Sequence, residues 1–513
     1  MSRLGWILAW AAAVLPIAGF WTYGLFDLDE GIYAASLREM QRNHEWIIPT
    51  FGGKPFLEKP ILMYWGALAA SEVGVPGVAA LRLFPAVCFV GLLAVIAAFV
   101  RRFYDDKTAA AAMLAAAFCP LVSGVGRLFM PDAPLLLFFT LSLFAFWISL
   151  SGSLWWRTVA GCSLGLAMLA KGPFVVVAFA VIAACIWFGC ADVRYGMKRG
   201  WIAFVIAFVA VVSIWYLPIA IREGPQFFRE FVLKQNLARF AGGDEAHPGP
   251  FFYYIPVLIL ALWPWVPSLF CSIRNQKTDL EKMLWAWSGV IFVLFSAAGS
   301  KLPHYVAPAI VPLGVLAAAA ASKRQAGSGA WQGWVLAALG VSAAASAWLL
   351  RAWPVGGWIA FGVWLAGAGG AILAFEPRIR RLTPAIAAGV FWIPLLAAGM
   401  PLYWQSTHGD IYRVAMFLKA EHPKAVLEYR MDGMGEPLAT SHPSLRWYCD
   451  FQPTDIEWPE QIQVLLERGS FVLSRRNRLT PSVLRELRSN GYDLVLVGED
   501  FGEYQLFRCA SVP

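Results

Sequence analysis

Long apolar runs, separated by short polar connections, recur along this chain and leave few folds open to it. In a window of about 19 residues, thirteen runs are long enough to form membrane-spanning helices. They lie near residues 4–24, 78–100, 108–124, 132–150, 156–171, 173–190, 201–221, 251–271, 283–299, 304–321, 330–350, 355–375 and 384–404. Because 59% of the residues are hydrophobic and only 14% are charged, a water-soluble fold is excluded. We predict an all-α polytopic membrane domain over residues 1–404, with about 13 transmembrane helices.

The distribution of Lys and Arg orients these helices. With the N-terminus inside, the inner connections carry most of the positive charge: Arg101, Arg102, Lys107, Arg157, Arg194, Lys198, Arg199, Arg274, Lys277, Lys282, Lys323, Arg324, Arg378, Arg380 and Arg381. The short outer connections hold only Arg127, Lys171, Lys301 and Arg351. The positive-inside rule therefore predicts a cytoplasmic N-terminus and an external C-terminus. The net charge of +8 is explained by cytoplasmic loops, and no nucleic-acid partner is expected.

Outside the apolar runs, three regions are long enough to carry a site. Two are outer loops, at residues 25–77 and 222–250. The third, residues 405–513, is polar and alternates helical patterns with strand-like runs at Ala425–Tyr429, Phe471–Ser474 and Asp493–Val497, which predicts a small α/β domain outside the membrane. Cys449 and Cys509 both lie in it, and the sequence leaves open whether they form a disulfide.

The first outer loop holds the densest group of charged residues. A helix from about residue 30 to 43 would place Tyr33, Leu37 and Met40 on one stripe, which predicts a helix lying at the membrane interface. Asp29 and Glu30 would stand at its N-terminus. A carboxylate there can simply cap the helix, so catalysis and capping both remain open for these two residues.

The other outer connections repeat this chemistry. Glu58 and Lys59 precede Pro60, Asp132 precedes an apolar helix, Lys171 follows one, and Lys301 lies close to Tyr305. Singly, each could be an interface anchor, a helix cap or a solvated ion pair. Together they place acids and cations on one face of the membrane, which is typical of a site for an anionic lipid headgroup.

The order of these residues resembles the aminoarabinose transferase and protein O-mannosyltransferase superfamily. The resemblance covers about residues 1–320 and begins with Asp29-Glu30-x-x-Tyr33-Ala34-x-x-x-Arg38-Glu39-Met40, then Trp46, Pro49, Glu58-Lys59-Pro60 and Tyr64-Trp65. Later landmarks are Asp132, Lys171-Gly172, Asn236-x-x-Arg239-Phe240, His247, and Ser300-Lys301-Leu302-Pro303-x-Tyr305. The chain has Lys234-Gln235-Asn236 where the superfamily pattern has Glu-His-Asn.

The resemblance implies an inverting membrane glycosyltransferase of the C-type fold in a bacterial inner membrane. Its donor would be a polyprenyl-phosphate-linked sugar, and its acceptor lipid A or, failing that, a protein or another glycan. The implied catalytic residues are Asp29, Glu30 and Asp132. The implied donor-phosphate and substrate contacts are Glu58, Lys59, Lys171, Arg239, Lys301, Tyr33, Asn236, His247 and Tyr305.

Two points stay open beside this interpretation. A transporter or flippase of a lipid-linked sugar would also have many spans, although its polar groups should lie near the membrane midplane rather than at one rim. A divalent cation between Glu58 and a phosphate is conceivable, but the chain has no His/Cys spacing typical of a dedicated metal site.

The topology can be tested directly. A tag fused after residue 513 should be reachable from the periplasm in intact cells, whereas one inserted at Lys323 should be protected until the inner membrane is opened. Labelling of the C-terminal tag only after that membrane is opened would refute the orientation.

Overall fold

The computed structural model describes residues 1–238, 247–274, 277–323, 330–350, 355–379, 383–429, 442–449, 453–456, 462, 469–476 and 478–511. The chain forms two compact units, and neither is continuous in sequence. The helical unit comprises Met1–Phe20, Leu57–Gly66 and Arg82–Gly399. The mixed unit comprises Trp21–Phe56, Ala67–Leu81 and Met400–Pro513. Most of the first outer loop therefore belongs to the same unit as the C-terminal region.

Helices dominate the chain up to Pro394. Their bounds are α1 (Arg3–Val14), α2 (Asp29–Asn43), α3 (Leu62–Glu72), α4 (Gly77–Phe103), α5 (Asp106–Ala117), α6 (Pro120–Ser123), α7 (Asp132–Ser151), α8 (Trp155–Lys171), α9 (Phe174–Gly189), α10 (Arg194–Met197), α11 (Trp201–Phe227), α12 (Tyr254–Ala261), α13 (Val266–Arg274), α14 (Asp279–Ala297), α15 (Ala307–Lys323), α16 (Ala330–Leu350), α17 (Val355–Ile379) and α18 (Thr383–Pro394). A π-helical segment, Phe228–Ala238, follows α11.

Every apolar run predicted from the sequence overlaps helix, although helix in the first run, residues 4–24, ends at Ile17. Within the described ranges, seven helices are long and apolar enough to cross a membrane, or up to nine if each bent pair is one span. The bends are 63° between Asp106–Ala117 and Pro120–Arg127, and 81° between Phe251–Ala261 and Trp263–Ile273. Proline lies at each break, where it removes a main-chain donor and ends the helix. The helical membrane architecture is confirmed, and the count of thirteen stays a prediction.

Glycines bring helices of the helical unit into close contact. A β-carbon added at Gly161 in α8 would lie 2.2 Å from the carbonyl oxygen of Phe204 in α11, and one at Gly165 would lie 2.8 Å from Val211. In lipid, where apolar surface drives no association, such small residues let helix backbones pack directly. The pairing of α8 with α11 therefore depends on the absence of side chains at these positions.

Three arginines are buried in the helical unit and donate to main-chain carbonyls. Arg82, Arg127 and Arg157 each have 0% of their surface exposed. Their hydrogen bonds are Arg127 Nη1 to the oxygens of Pro16 and Ala18 (2.7 Å each), Arg82 Nη1 to Phe20 (2.9 Å) and Arg157 Nη2 to Gly196 (2.9 Å). Arg127 and Arg157, predicted to lie in membrane-surface connections, thus satisfy carbonyls that helix ends leave without a partner.

The mixed unit contains a five-stranded sheet. The C-terminal segment of this unit contributes helices α19 (Met400–Glu421), α20 (Ser444–Tyr448) and α21 (Pro481–Ser489). It also contributes the strands of the sheet, which are β3 (Val426–Tyr429), β4 (Thr454–Ile456), β5 (Phe471–Arg475), β6 (Tyr492–Leu496) and β7 (Tyr504–Ser511). The strand order is β4-β3-β5-β7-β6. β3 pairs in parallel with β4 and β5, and β7 runs antiparallel to β5 and β6. The three strand-like runs predicted from the sequence are strands.

Alternating side chains of this sheet enter two separate cores. Phe471 and Leu473 pack with residues of α19 on one face, whereas Val472 packs with Leu487 of α21 on the other. This alternation is the expected two-residue period of a strand covered on both faces. Cys449 lies in the first core and Cys509 in the second, and both are free thiols.

The amphipathic helix predicted in the first loop is present as α2. Tyr33, Leu37 and Met40 are almost completely buried, and Arg38 donates to the carbonyl of Trp447 at 3.0 Å. The apolar stripe is therefore covered by protein within the mixed unit, where the sequence predicted contact with the membrane surface.

A hairpin follows α2 in the mixed unit. Its strands, β1 (Thr50–Phe51) and β2 (Lys54–Pro55), are antiparallel. Gly52 and Gly53 both have positive φ, which this tight turn requires. Their N–H groups donate to the carboxylate of Glu39, at 2.7 and 3.1 Å, so α2 fixes the position of the turn.

The close packing of α8 with α11 can be tested by substitution. Gly161→Val should lower the free energy of unfolding by about 1–3 kcal/mol, because the two backbones must separate to admit the side chain. Gly289→Val in α14 is the matched control, since a β-carbon there meets nothing within 4 Å. Equal unfolding free energies for the two variants in detergent would contradict this packing.

Candidate functional site

A buried ion pair joins the two ends of one helical hairpin. Asp132 is the first residue of α7, and Lys171 is the last residue of α8. Because α7 and α8 are consecutive, similar in length and packed together, the start of one meets the end of the other. Lys171 Nζ lies 2.5 Å from Asp132 Oδ1, and the two side chains are 15% and 3% exposed. The acid stands at a positive helix end and the cation at a negative one, so both helix dipoles stabilise the pair.

Aromatic and basic groups surround this pair in the helical unit. Lys171 Nζ lies 4.8 Å from the centroid of the Tyr305 ring, and His304 Nε2 lies 4.0 Å from Asp132 Oδ1. Lys59 is half-buried and interacts electrostatically with Asp132. Four predicted site residues, Lys59, Asp132, Lys171 and Tyr305, thus share one neighbourhood. His304 stands at the unspecified position of the motif that ends at Tyr305, and the sequence predicted no role for it.

The second carboxylate oxygen of Asp132 is the feature of this cluster that points to a ligand. Asp132 Oδ2 is buried and has no hydrogen-bond partner among the described residues. An unpaired buried acceptor is costly. A substrate group that donates a hydrogen bond would satisfy it.

Lys301 and His247 lie in a different local arrangement of the helical unit. Lys301 is 6% exposed, and its Nζ donates to the carbonyls of Ser296 and Ala298, at 3.0 and 2.5 Å. Its main-chain N–H donates to the His247 carbonyl at 2.8 Å. This geometry favours a role for Lys301 in binding the carbonyls at the end of α14, while the His247 side chain is exposed.

The neighbouring acids Asp29 and Glu30 have different environments in the mixed unit. Asp29 is exposed at the first position of α2, and no side chain caps this helix. Glu30 is 1% exposed, and its Oε2 accepts from the Phe26 N–H at 3.0 Å. Of the two, only Asp29 presents its carboxylate for chemistry. Tyr33, a predicted substrate contact, is 4% exposed and lies against the Phe56 ring.

A third acid in this loop, Asp27, makes several side-chain contacts. Its carboxylate accepts from Ser444 Oγ at 2.6 Å and from Ser444 N at 3.0 Å, and lies 3.3 Å from His442 Nδ1. The sequence singled out no role for Asp27 beyond its place in an acidic cluster. No local signal could reveal these partners, which lie 417 and 415 positions away.

Three predicted site residues remain. Glu58 is half-buried just before α3, and Asn236 lies in the π-helical segment, where its side chain is not described. Arg239 lies outside the described residues. In the described part of the chain, no group of three or more His, Cys, Asp or Glu residues is arranged to hold a metal ion.

The fold itself defines a class of protein. The chain is similar to the crystal structure of ArnT from Cupriavidus metallidurans bound to undecaprenyl phosphate, with a TM-score of 0.78 and 19% identity over 99% of this chain and 98% of that one. It is more distantly similar to an Archaeoglobus fulgidus oligosaccharyltransferase, with a TM-score of 0.51 and 12% identity over 100% of this chain and 74% of that one. The architecture is therefore the mostly helical C-type fold of membrane glycosyltransferases.

Sequence similarity indicates which membrane glycosyltransferases this chain resembles. Residues 58–216 match the dolichyl-phosphate-mannose-protein mannosyltransferase family. An undecaprenyl phosphate-alpha-4-amino-4-deoxy-L-arabinose arabinosyl transferase from Edwardsiella ictaluri is 31% identical over 57% of this chain and 55% of its own length. A second from Pseudomonas fluorescens is 30% identical over 59% of this chain and 53% of its own. The chain thus spans about half the length of the curated relatives it matches. The predicted resemblance to the aminoarabinose transferase and protein O-mannosyltransferase superfamily is confirmed.

The Lys171–Asp132 pair predicts an asymmetric response to mutation. Lys171→Ala should lower the free energy of unfolding by about 3–5 kcal/mol, because it leaves a buried carboxylate without its partner. Adding Asp132→Asn should recover part of this loss, since the unpaired charge is then removed.

Lys282→Ala provides the control for this series. Lys282 makes a 2.7 Å ion pair with Asp279, but its side chain is 44% exposed, so its removal should change the unfolding free energy little. Equal losses for Lys171→Ala and Lys282→Ala, measured by denaturant titration in detergent, would contradict the buried character of the first pair.

Proposed function

We propose that this protein is an inverting glycosyltransferase that moves a sugar from a polyprenyl-phosphate-linked donor to an acceptor at the outer face of a bacterial inner membrane. The leading donor sugar is 4-amino-4-deoxy-L-arabinose on undecaprenyl phosphate, and the leading acceptor is lipid A. Protein or another surface glycan comes next. The C-terminus would lie in the periplasm and the N-terminus in the cytoplasm.

The observation that carries this proposal is the cluster of Lys171, Asp132 and Tyr305 within a C-type fold. Lys59, Asp132 and Lys171 all lie inside residues 58–216, the part that matches the mannosyltransferase family. Two cations beside a buried carboxylate with a free acceptor oxygen suit a phosphate-linked sugar, whose phosphate needs cations and whose hydroxyls can donate hydrogen bonds. The names of the arabinosyl transferase relatives support the same donor class.

The reaction is a direct displacement at the anomeric carbon. The acceptor oxygen attacks this carbon from the face opposite the phosphate, a new carbon–oxygen bond forms, and the bond to the phosphate oxygen breaks. Polyprenyl phosphate leaves with the bonding electrons. Lys59, Lys171 and Arg239 stabilise its growing charge, which is where fixed cations lower a barrier most effectively.

Asp29 has a role that depends on the acceptor. If the acceptor is a hydroxyl, the exposed Asp29 carboxylate takes its proton as the new bond forms. If the acceptor is a phosphate of lipid A, no base is needed, and Asp29 orients the acceptor instead. A divalent cation could join Glu58 to a donor phosphate, since a carboxylate and phosphate oxygens are suitable ligands for a hard cation.

The chemical identity of the reaction can be tested by mass spectrometry. Surface lipids and glycans from cells with and without the protein should differ by the mass of one transferred sugar on lipid A. A new modification on protein or another glycan, without one on lipid A, would show that this second class of molecule is the acceptor. Identical surface lipids, proteins and glycans in both strains, with the protein expressed and the donor supplied, would refute the transferase proposal.

The role of Asp29 predicts a large loss of activity from a small substitution. Asp29→Asn keeps the size of the side chain, and no described contact is lost, because Asp29 is exposed and caps nothing. The protein should fold normally, while sugar transfer falls by roughly two orders of magnitude or more. The measurement is turnover with saturating donor, normalised to folded protein.

Glu72→Gln is the matched control for this variant. Glu72 is an exposed carboxylate of the mixed unit at the end of α3, so the same loss of charge should leave transfer unchanged. Glu30→Gln is a poorer control because Glu30 is buried and binds a main-chain N–H. Near-normal turnover of well-folded Asp29→Asn protein would remove Asp29 from the catalytic assignment.

A further inference from the structure

The carboxylate of Asp27 is held by the C-terminal part of the mixed unit. Its side chain is 5% exposed and that of His442 is 9% exposed. Ser444 donates to it twice, from the hydroxyl at 2.6 Å and from the main-chain N–H at 3.0 Å. Hydrogen bonds to a buried carboxylate are charge-assisted and stronger than neutral ones. Asp27 is therefore a fixed point of the first loop.

The hydrogen bonds behind Asp27 form a continuous chain. Tyr504 OH lies 2.8 Å from His442 Nε2, and His442 Nδ1 lies 3.3 Å from Asp27 Oδ2. In the tautomer with its proton on Nδ1, His442 accepts from Tyr504 and donates to Asp27. The His442 ring thus joins β7, through Tyr504, to the Asp27 carboxylate.

The residues just before Asp27 are held in the same way. Leu25 N–H donates to Tyr448 OH at 2.6 Å, and Trp404 Nε1 donates to the Leu25 carbonyl at 2.9 Å. The Asp27 N–H donates to His408 Nε2 at 3.1 Å. Main-chain groups at two positions of the loop are therefore bound by side chains of the C-terminal segment, which fixes the backbone leading into α2.

The side chain of Asp27 is also closely surrounded by neighbouring atoms. A β-carbon at Gly31 would lie 1.9 Å from Asp27 Oδ1 and 2.8 Å from the Ser444 nitrogen. The first turn of α2 can close over Asp27 only because residue 31 has no side chain. Asp29 lies within this stretch, between the held carboxylate and Gly31.

From this geometry we propose that Asp27, Ser444, His442 and Tyr504 are positioning residues for the reaction. They connect the sheet of the mixed unit to the start of α2, and in this way they fix the position of the Asp29 carboxylate. This gives these residues of the C-terminal region a function, which is to orient the Asp29 carboxylate. The inference rests on the proposed function, since it requires Asp29 to act in sugar transfer.

A positioning role has a kinetic signature. Displacement of a reacting group by about 1 Å can cost 10²-fold in rate. Donor binding through cations of the helical unit does not depend on Asp27, so the donor KM should stay constant. Loss of a positioning contact should therefore lower kcat alone, whereas general destabilisation should lower the melting temperature and the amount of folded protein.

The test uses the full-length protein in detergent with an undecaprenyl-phosphate-linked sugar donor. Ser444→Ala removes one of three donors to Asp27 and should lower kcat about tenfold, with donor KM within about twofold of wild type. Asp27→Asn places an N–H₂ group against donors and should lower kcat further. Ser474→Ala is the matched control: Ser474 is equally buried, and in the described part of the chain its hydroxyl donates to the Arg475 carbonyl of its own strand.

Tyr504→Phe is a second probe, at the far end of the chain. It removes one hydroxyl and should also lower kcat at constant KM, even if Ser444→Ala fails to fold. Wild-type kcat in folded Ser444→Ala or, where that variant does not fold, in Tyr504→Phe would overturn the inference. So would an equal fall of kcat and melting temperature in Ser444→Ala and Ser474→Ala.

The Asp29→Asn variant distinguishes failure of the positioning proposal from failure of the proposed catalytic role of Asp29. If Asp29→Asn is inactive while Ser444→Ala and Tyr504→Phe keep full kcat, the positioning proposal fails and the role of Asp29 stands. If Asp29→Asn retains normal turnover, the catalytic assignment fails first and the positioning proposal fails with it.

Discussion

The pairing of buried charge is the constraint on which the rest of the helical unit depends. A charged side chain in apolar surroundings costs several kcal/mol unless a partner satisfies it. Lys171 and Asp132 satisfy each other across the ends of one hairpin, while Arg82, Arg127 and Arg157 bind carbonyls that helix ends leave free. These few polar contacts join particular helix ends, beside the close apolar packing at Gly161 and Gly165. The proposed substrate site lies beside one acceptor atom, Asp132 Oδ2, that has no partner among the described residues.

The two units contribute different chemistry. The helical unit carries the cations of the proposed reaction, Lys59 and Lys171, on helix ends and connections that are anchored by buried contacts. The mixed unit carries the exposed carboxylate, Asp29, on a helix held by a sheet. The interior of a sheet or helix has few accessible conformations. A loop bound to it at several points therefore loses most of its conformational freedom when the protein folds, before substrate binds. Such prior ordering is a general source of catalytic efficiency.

Hydropathy was sufficient to predict the helices, because a membrane requires every span to be apolar and hydrogen-bonded within itself. The order of motifs predicted the superfamily, and with it Asp132, Lys171 and Tyr305. The distinction between Asp29 and Glu30 could also have been predicted: Glu30 precedes Tyr33 and Leu37 by three and seven positions, so it shares their buried stripe. The contacts of Asp27 could not, because Ser444 and His442 follow no periodic pattern with it and meet it only through tertiary structure. Lys301 was predicted to contact substrate because a lysine can donate to a phosphate or to a main-chain carbonyl, and its sequence position does not distinguish the two partners.

The mixed unit is assembled from segments far apart in the sequence, and this has a consequence for biosynthesis. Asp27 leaves the ribosome 417 positions before Ser444, a delay of roughly 20 to 80 s at ordinary rates of chain elongation. During that interval α2 and its hairpin have no sheet on which to dock, and the buried face of Tyr33, Leu37 and Met40 must remain uncovered or be shielded. The first loop is thus among the last segments to reach its native contacts, so a nascent chain arrested before β7 would carry Asp29 without the sheet that holds the start of α2.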